Sequence, residues 1–170
     1  MAGDAGGEGL SKSKKLYLQT TEVPAGKSAG EIVAVLVQGG AREILTQYGP
    51  DQKLVGIRFS LEPKKGQTQI YSLPARTNAV YKILSEQKCY AYDDSKLKAQ
   101  AERIAWRLLL RWVQSQLALI EVGMVEVEEV FLPYRQGKDG RTFWELVQAG
   151  QQLALPPASG EEGNVKEFRK

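Results

Sequence analysis

Histidine is absent from this 170-residue chain, and cysteine occurs once, at Cys89. Without histidine there is no imidazole metal site and no Ser-His or Cys-His nucleophile pair. A lone thiol excludes an internal disulfide framework and a cysteine-based zinc cluster. Cys89 sits beside Lys88, which can lower a thiol pKa, but with no histidine a buried or incidental cysteine is the better reading. No run of about 18 apolar residues is free of charge, so no membrane contact through a spanning helix is expected. Met1 to Gly9 holds glycines and acids but no apolar stretch of the secretory kind. A cytoplasmic protein is expected.

What is present is ordinary for one globular core: 42% hydrophobic and 25% charged residues. There are 23 Lys+Arg against 20 Asp+Glu, a net charge of +3, so any basic function must come from a local patch. The Gly-rich start, followed by three lysines between Ser11 and Lys15, reads as a disordered tail over 1–14. The Pro/Gly/Glu/Lys-rich end reads as a flexible tail over 153–170. A single domain is expected over 15–152.

Local patterns predict the elements. Lys15 to Thr21 alternates and predicts a strand. Ser28-Ala29-Gly30-Glu31 is a capping box opening a helix through Ile32, Val33 and Leu36, which Gly39-Gly40 ends. Glu43 to Tyr48 predicts a short strand. Lys53 to Glu62 predicts a longer one, with Val55, Ile57, Phe59 and Leu61 on one face and Gly56, Arg58 and Ser60 on the other. A Pro63–Gly66 turn returns the chain over Gln67 to Leu73 as a hairpin. Asn78 to Glu86 predicts a short helix with Val80, Ile83 and Leu84 inward. Asp93-Asp94-Ser95 starts a long helix running to about Val122, apolar over a wide arc, which makes it a core post or a surface for a second chain. Met124 to Tyr134 fits either a strand or a helical turn. Asp139-Gly140 is a turn, and Thr142 to Glu145 is a second capping box. The fold class is therefore α+β: a small antiparallel sheet of three or four strands, covered by helices on one face, with one long helix in the C-terminal half.

Two further tempting sites fail on their own residues. Gly26-Lys27-Ser28 lacks the first glycine of a phosphate-binding loop, since Thr21 stands there. The acids Asp93, Asp94, Glu102, Glu121, Glu126, Glu128 and Glu129 follow no oxygen-ligand pattern. No catalytic residues, metal or cofactor are expected, and the chain reads as a non-enzyme.

Basic residues give the positive lean. Arg103, Arg107 and Arg111 recur every fourth residue with Lys96 upstream, so they share one face of the long helix. Lys53, Arg58, Lys64, Lys65 and Arg76 surround the hairpin, with Tyr71 among them. Charge for phosphates and rings for bases is the pattern single-stranded nucleic acid uses, with Tyr71 and Trp106 as the candidate stacking rings. The plainer alternative makes the arginines a solvent face paired with Glu126, Glu128 or Glu129. DNA or RNA is the expected partner. The rival is a protein partner or a homodimer on the apolar face of the long helix, around Leu110 and Leu117, and on the Phe131 to Trp144 region.

Lys27 to Ile32, Ala105-Trp106-Arg107, Glu121 to Met124 and Val130 to Tyr134 resemble segments of a family of small, mostly uncharacterised proteins of bacteriophages and bacterial mobile elements. The resemblance covers roughly residues 17 to 148. It implies a bacterial or phage-infected cell, where nucleic-acid handling and interference with host defence are both common. It carries over no catalytic residue. Separately, the order α-β-β-β-α from Ser28 to Glu86 resembles the double-stranded-RNA-binding domain. Only Arg76 and Lys82 stand near the start of that last helix, so its basic run is lacking, and order alone does not give function.

Overall fold

A computed structural model describes residues 15–87 and 93–150. The expected tails and Cys89 lie outside the described residues. Pro24 opens α1 (Ala25–Gln38) with its φ already at −57°, and its carbonyl accepts from Lys27 N and Ser28 N. The helix therefore starts three residues before the expected capping box, and the box does not form. Ser28 lies inside the helix, fully buried, and its hydroxyl has no hydrogen-bond partner among the described residues. Gly39 ends α1 so close to α3 (Asp94–Glu121) that an added Cβ would stand 3.0 Å from the Leu117 δ-carbons.

The sheet is antiparallel, in the order β1 (Ile44–Tyr48), β2 (Leu54–Lys64), β3 (Gln67–Pro74). Its register pairs Ile44 with Phe59 and Phe59 with Tyr71. Ile57, Phe59, Leu61, Tyr71 and Leu73 form the inner face. Val55 was expected with them but is 45% exposed. A register shift between Gln47 and Tyr48 re-phases the start of β2, and Leu54 joins the core instead. Gly66, at φ +79°, makes the tip of the β2–β3 hairpin.

α2 (Thr77–Glu86) buries Val80 and Leu84, one turn apart. Ile83 was expected inward but is 39% exposed, because α2 packs on α3 along that one stripe alone. Asp93 caps α3, accepting from Lys96 N at 3.0 Å. α3 belongs to two core clusters. Leu97, Ala101, Ile104 and Ala105 pack with α2, while Trp106, Leu110 and Val113 pack with α1 and the sheet. It is the core's post, and its broad apolar arc is largely consumed inside the molecule.

The expected strand at Lys15 to Thr21 is a pair of turns instead. The buried Gln100 of α3 donates from Nε2 to the carbonyls of Gln19 (2.8 Å) and Thr21 (2.9 Å), and Leu18 takes a φ of +62°. Alternation over so few residues lost to these long-range bonds. The ambiguous stretch after α3 resolves as helix: α4 (Val127–Phe131), with a Glu126/Glu129 capping box, then a 3₁₀ turn at Leu132–Tyr134. Phe131 is fully buried against Phe59 (5.6 Å between ring centres), Tyr71 (5.7 Å) and Trp112 (5.7 Å). α5 (Phe143–Gln148) begins with the expected Thr142/Glu145 capping box.

The Asp93 carboxyl is held below its ordinary value, first by the Lys96 backbone N–H and then by the Lys96 side chain. A carboxyl lowered on folding adds stability above its unfolded pKa, and this share is lost as pH falls through the folded value. Asp93→Ala is therefore expected to lower Tm at neutral pH, with the deficit shrinking in acid; thermal unfolding across that pH range checks it.

Candidate nucleic-acid interface

The outer face of the sheet carries Gln47 from β1, Gly56 and Arg58 from β2, and Ser72 from β3, paired as Gln47 with Gly56 and Arg58 with Ser72. Gly56 has no side chain to give. A Cβ there would stand 2.9 Å from the Leu73 carbonyl oxygen and 3.0 Å from Gln47 Oε1. The Gln47 amide takes up that space and accepts from Ser72 Oγ at 3.3 Å.

After Tyr134 the chain crosses the edge of β3. Arg135 bridges Tyr71, and Gln136 N donates to the Ile70 carbonyl at 2.8 Å. Residues 135–143 then double back as a narrow arm, with Gly137 N on the Arg141 carbonyl and Phe143 N on the Arg135 carbonyl, both at 2.9 Å. Gly140, at φ +79°, turns it. Asp139 holds the tip through Arg141 Nε at 2.7 Å.

Two adjoining grooves lie between arm and sheet and share Gln136 and Gly140. The first, about 320 Å³, is lined by Arg58, Thr68, Gln69, Arg135 and Lys138 among others, with no carboxylate. Among the described residues, Arg58, Arg135 and Lys138 have no ion-pair partner. The second, about 380 Å³, is lined by Gln47, Ser72, Arg76, Tyr134 and the 41% exposed Trp144. Its one carboxylate, Glu145, is occupied by Thr142 N at 2.7 Å and Thr142 Oγ1 at 2.9 Å.

The structure scatters the other sequence-predicted residues. Lys64 and Lys65 are exposed at the hairpin tip. Arg76 is exposed at the start of α2 with φ +45°. Lys53 is paired with Glu102 of α3, and Lys96 with Asp93 at 3.2 Å. The arginine stripe is not a continuous solvent face. Arg107 pairs with Glu31 of α1 at 2.7 Å, its side chain only 17% exposed, rather than with Glu126, Glu128 or Glu129. Arg103 is half-buried and donates to Gln100 Oε1 at 3.2 Å. Arg111 is exposed beside Gln114. None of the three lines either groove.

Both candidate stacking rings are withdrawn from solvent. Trp106 is fully buried between α3 and the sheet core, its indole N–H without a partner among the described residues. Tyr71 is fully buried, stacked 5.5 Å from Phe59. Burial first, then the charge of Glu128, pushes the Tyr71 pKa up against the opposing pull of Arg135, so the phenol stays neutral and donates to Gln69 at 3.0 Å. Large rings on a helix and an inner strand meet the core before they meet a ligand.

Sequence reasoning missed Arg135, Lys138, Trp144, Gln47 and Gln136 as candidate nucleic-acid contacts, and took the Phe131 to Trp144 region only as a surface for a protein partner. The turn at Asp139-Gly140 and the Thr142 box flanked them, but only the crossing of β3 brings them to Arg58. A third cavity, about 490 Å³, holds Lys53, Tyr81, Lys98 and Glu102. Its cations are paired, Lys53 with Glu102 and Lys98 with Asp94 (2.7 Å), which also accepts from the Tyr81 hydroxyl (2.6 Å), while Asp51 accepts from Lys53 N at 3.3 Å. Among the described residues no acid or thiol group clusters to hold a metal ion, and no helix is long and apolar enough to cross a membrane.

No family model matches the chain, and no solved structure matches it. A stretch of 60 residues is 37% identical to a Rhodococcus jostii (strain RHA1) protein described as "Probable malate:quinone oxidoreductase". It covers 35% of this chain and 11% of that protein, so the similarity is confined to a segment.

Gly56→Ala is expected to cost about 1–3 kcal/mol, because its Cβ presses on strand backbone that cannot yield like a side chain. Urea unfolding measures it.

Proposed function

We propose that this is a non-enzymatic, cytoplasmic nucleic-acid-binding protein, or a subunit of a nucleoprotein complex, that uses the outer face of its sheet. The observation that carries the reading is the convergence of Arg58, Arg135 and Lys138 on one groove without a carboxylate. Unpaired guanidinium and ammonium groups lining a concavity attract phosphate, and arginine offers two parallel donors to it. Lys64 and Lys65 at the hairpin tip, and Arg76 at the other end, extend the positive surface. Several cations elsewhere are already matched: Lys53, Lys96, Lys98 and Arg107 each have a carboxylate. A phage or mobile-element setting, which the sequence resemblance implies, is part of this proposal.

A second reading rests on the far ends of α1 and α3. There a groove of about 730 Å³ is lined by Val35, Gly39, Leu117 and Ile120, near the exposed Val122 and Met124. A protein partner or second copy seated there would appear in light scattering as a mass above that of the monomer.

Fluorescence anisotropy with labelled oligonucleotides at several salt concentrations tests the first reading. Affinity is expected to fall steeply with salt. Replacing Arg58, Arg135 and Lys138 together by alanine should reduce the slope of log K against log salt by about 2 units, near 0.7 for each lost single-strand phosphate contact. No binding at low salt would end this reading.

A further inference from the structure

We infer that the second groove seats one unpaired base of a single strand, stacked on Trp144, while the adjoining groove holds its phosphates. The inference rests on the phosphate reading above and adds the strand class. The two grooves differ in chemistry. The first has three free cations and no carboxylate, and so suits an anion. The second is mixed in charge, with Arg76 offset by Glu145, whose carboxylate is held by Thr142, and so suits a neutral ring better than a phosphate. It also holds the exposed indole of Trp144, and every base has a face to lay against an indole.

The polar groups around the ring have capacity to spare. Gln47 uses its amide oxygen on Ser72, which leaves its amide N–H groups to donate. Gln136 uses its amide nitrogen on the Gly140 carbonyl at 2.8 Å, which leaves its oxygen to accept. A donor and an acceptor on opposite walls fit the edge of a base. The missing side chain at Gly56 leaves the room that the Gln47 amide occupies. A base inside a duplex is stacked on both faces and paired along its Watson–Crick edge, so it has no free face to lay on Trp144 without being flipped out. A base in a single strand presents both face and edge.

The test uses the full chain and strands of about 12 nucleotides: single-stranded DNA, single-stranded RNA, duplex DNA, and an abasic strand that keeps only sugar and phosphate. Single strands are expected to bind tighter than duplex and at least about 10-fold tighter than the abasic strand. Trp144→Ala should remove that advantage, and Trp144→Phe should restore most of it. Gln47→Ala, with Trp144 intact, should weaken the base-bearing strands and leave the abasic strand unchanged. Far-UV circular dichroism confirms that each variant folds. Dependence on Trp144 in either the DNA or the RNA arm supports the inference, and the tighter arm identifies the sugar. If the Trp144 variants bind like the native chain while the Arg58/Arg135/Lys138 variant loses binding, the base seat is wrong and the phosphate reading stands. Equal affinity for duplex and single strand also overturns the base seat. Failure of every strand to bind overturns both.

Discussion

Everything on the outer face depends on one packing event on the inner face. Phe131 inserts its ring among Phe59, Tyr71 and Trp112, and Trp112 in turn meets Tyr134 at 5.4 Å. That aromatic cluster fixes where the chain leaves the core. Four residues later Arg135 is against the backbone of β3, and the arm has nowhere to go but over the edge. Burying large rings is among the strongest terms a small core has. The position of the arm, and of every cation on it, is inherited from that burial.

The same economy governs charge. With a net charge of only +3, the chain commits some of its cations to local matches. Arg107 ties α3 to Glu31 of α1, and Lys53, just before β2, meets Glu102 of α3. On the sheet side, Arg58, Arg135 and Lys138 are left without such matches. A half-buried ion pair holds a helix crossing in register. An unmatched cation does nothing for the fold and keeps its full attraction for an outside anion.

What could be read from the sequence was whatever a few neighbouring residues decide. The β2–β3 hairpin, the Gly39-Gly40 stop, the Asp93 cap and the Thr142 box are local, and each forms as read. The Ser28 box is also local, but Pro24 started the helix before it. Lys15 to Thr21 alternates like a strand, yet its conformation is set by Gln100, some 80 positions away along the chain. Periodicity placed Arg103, Arg107 and Arg111 on one face of α3 and could not say that α1 would cover part of it. The grooves were the least legible, since Gln47, Arg58, Ser72, Gln136 and Trp144 meet only through strand register and the crossing at β3.

The arm also changes what β3 exposes. A strand at the margin of a sheet offers unpaired N–H and C=O groups to any passing chain, and is the usual starting point for unwanted sheet growth. Here the arm occupies that margin at its middle, through Gln136 on Ile70 and Arg135 opposite Tyr71. The segment that walls both grooves is therefore also the guard on the open border of the sheet. Evolution cannot freely lengthen, loosen or discard it to reshape the grooves, because each such change reopens a template for self-association. The grooves and the closed border are thus constrained by the same nine residues, 135–143.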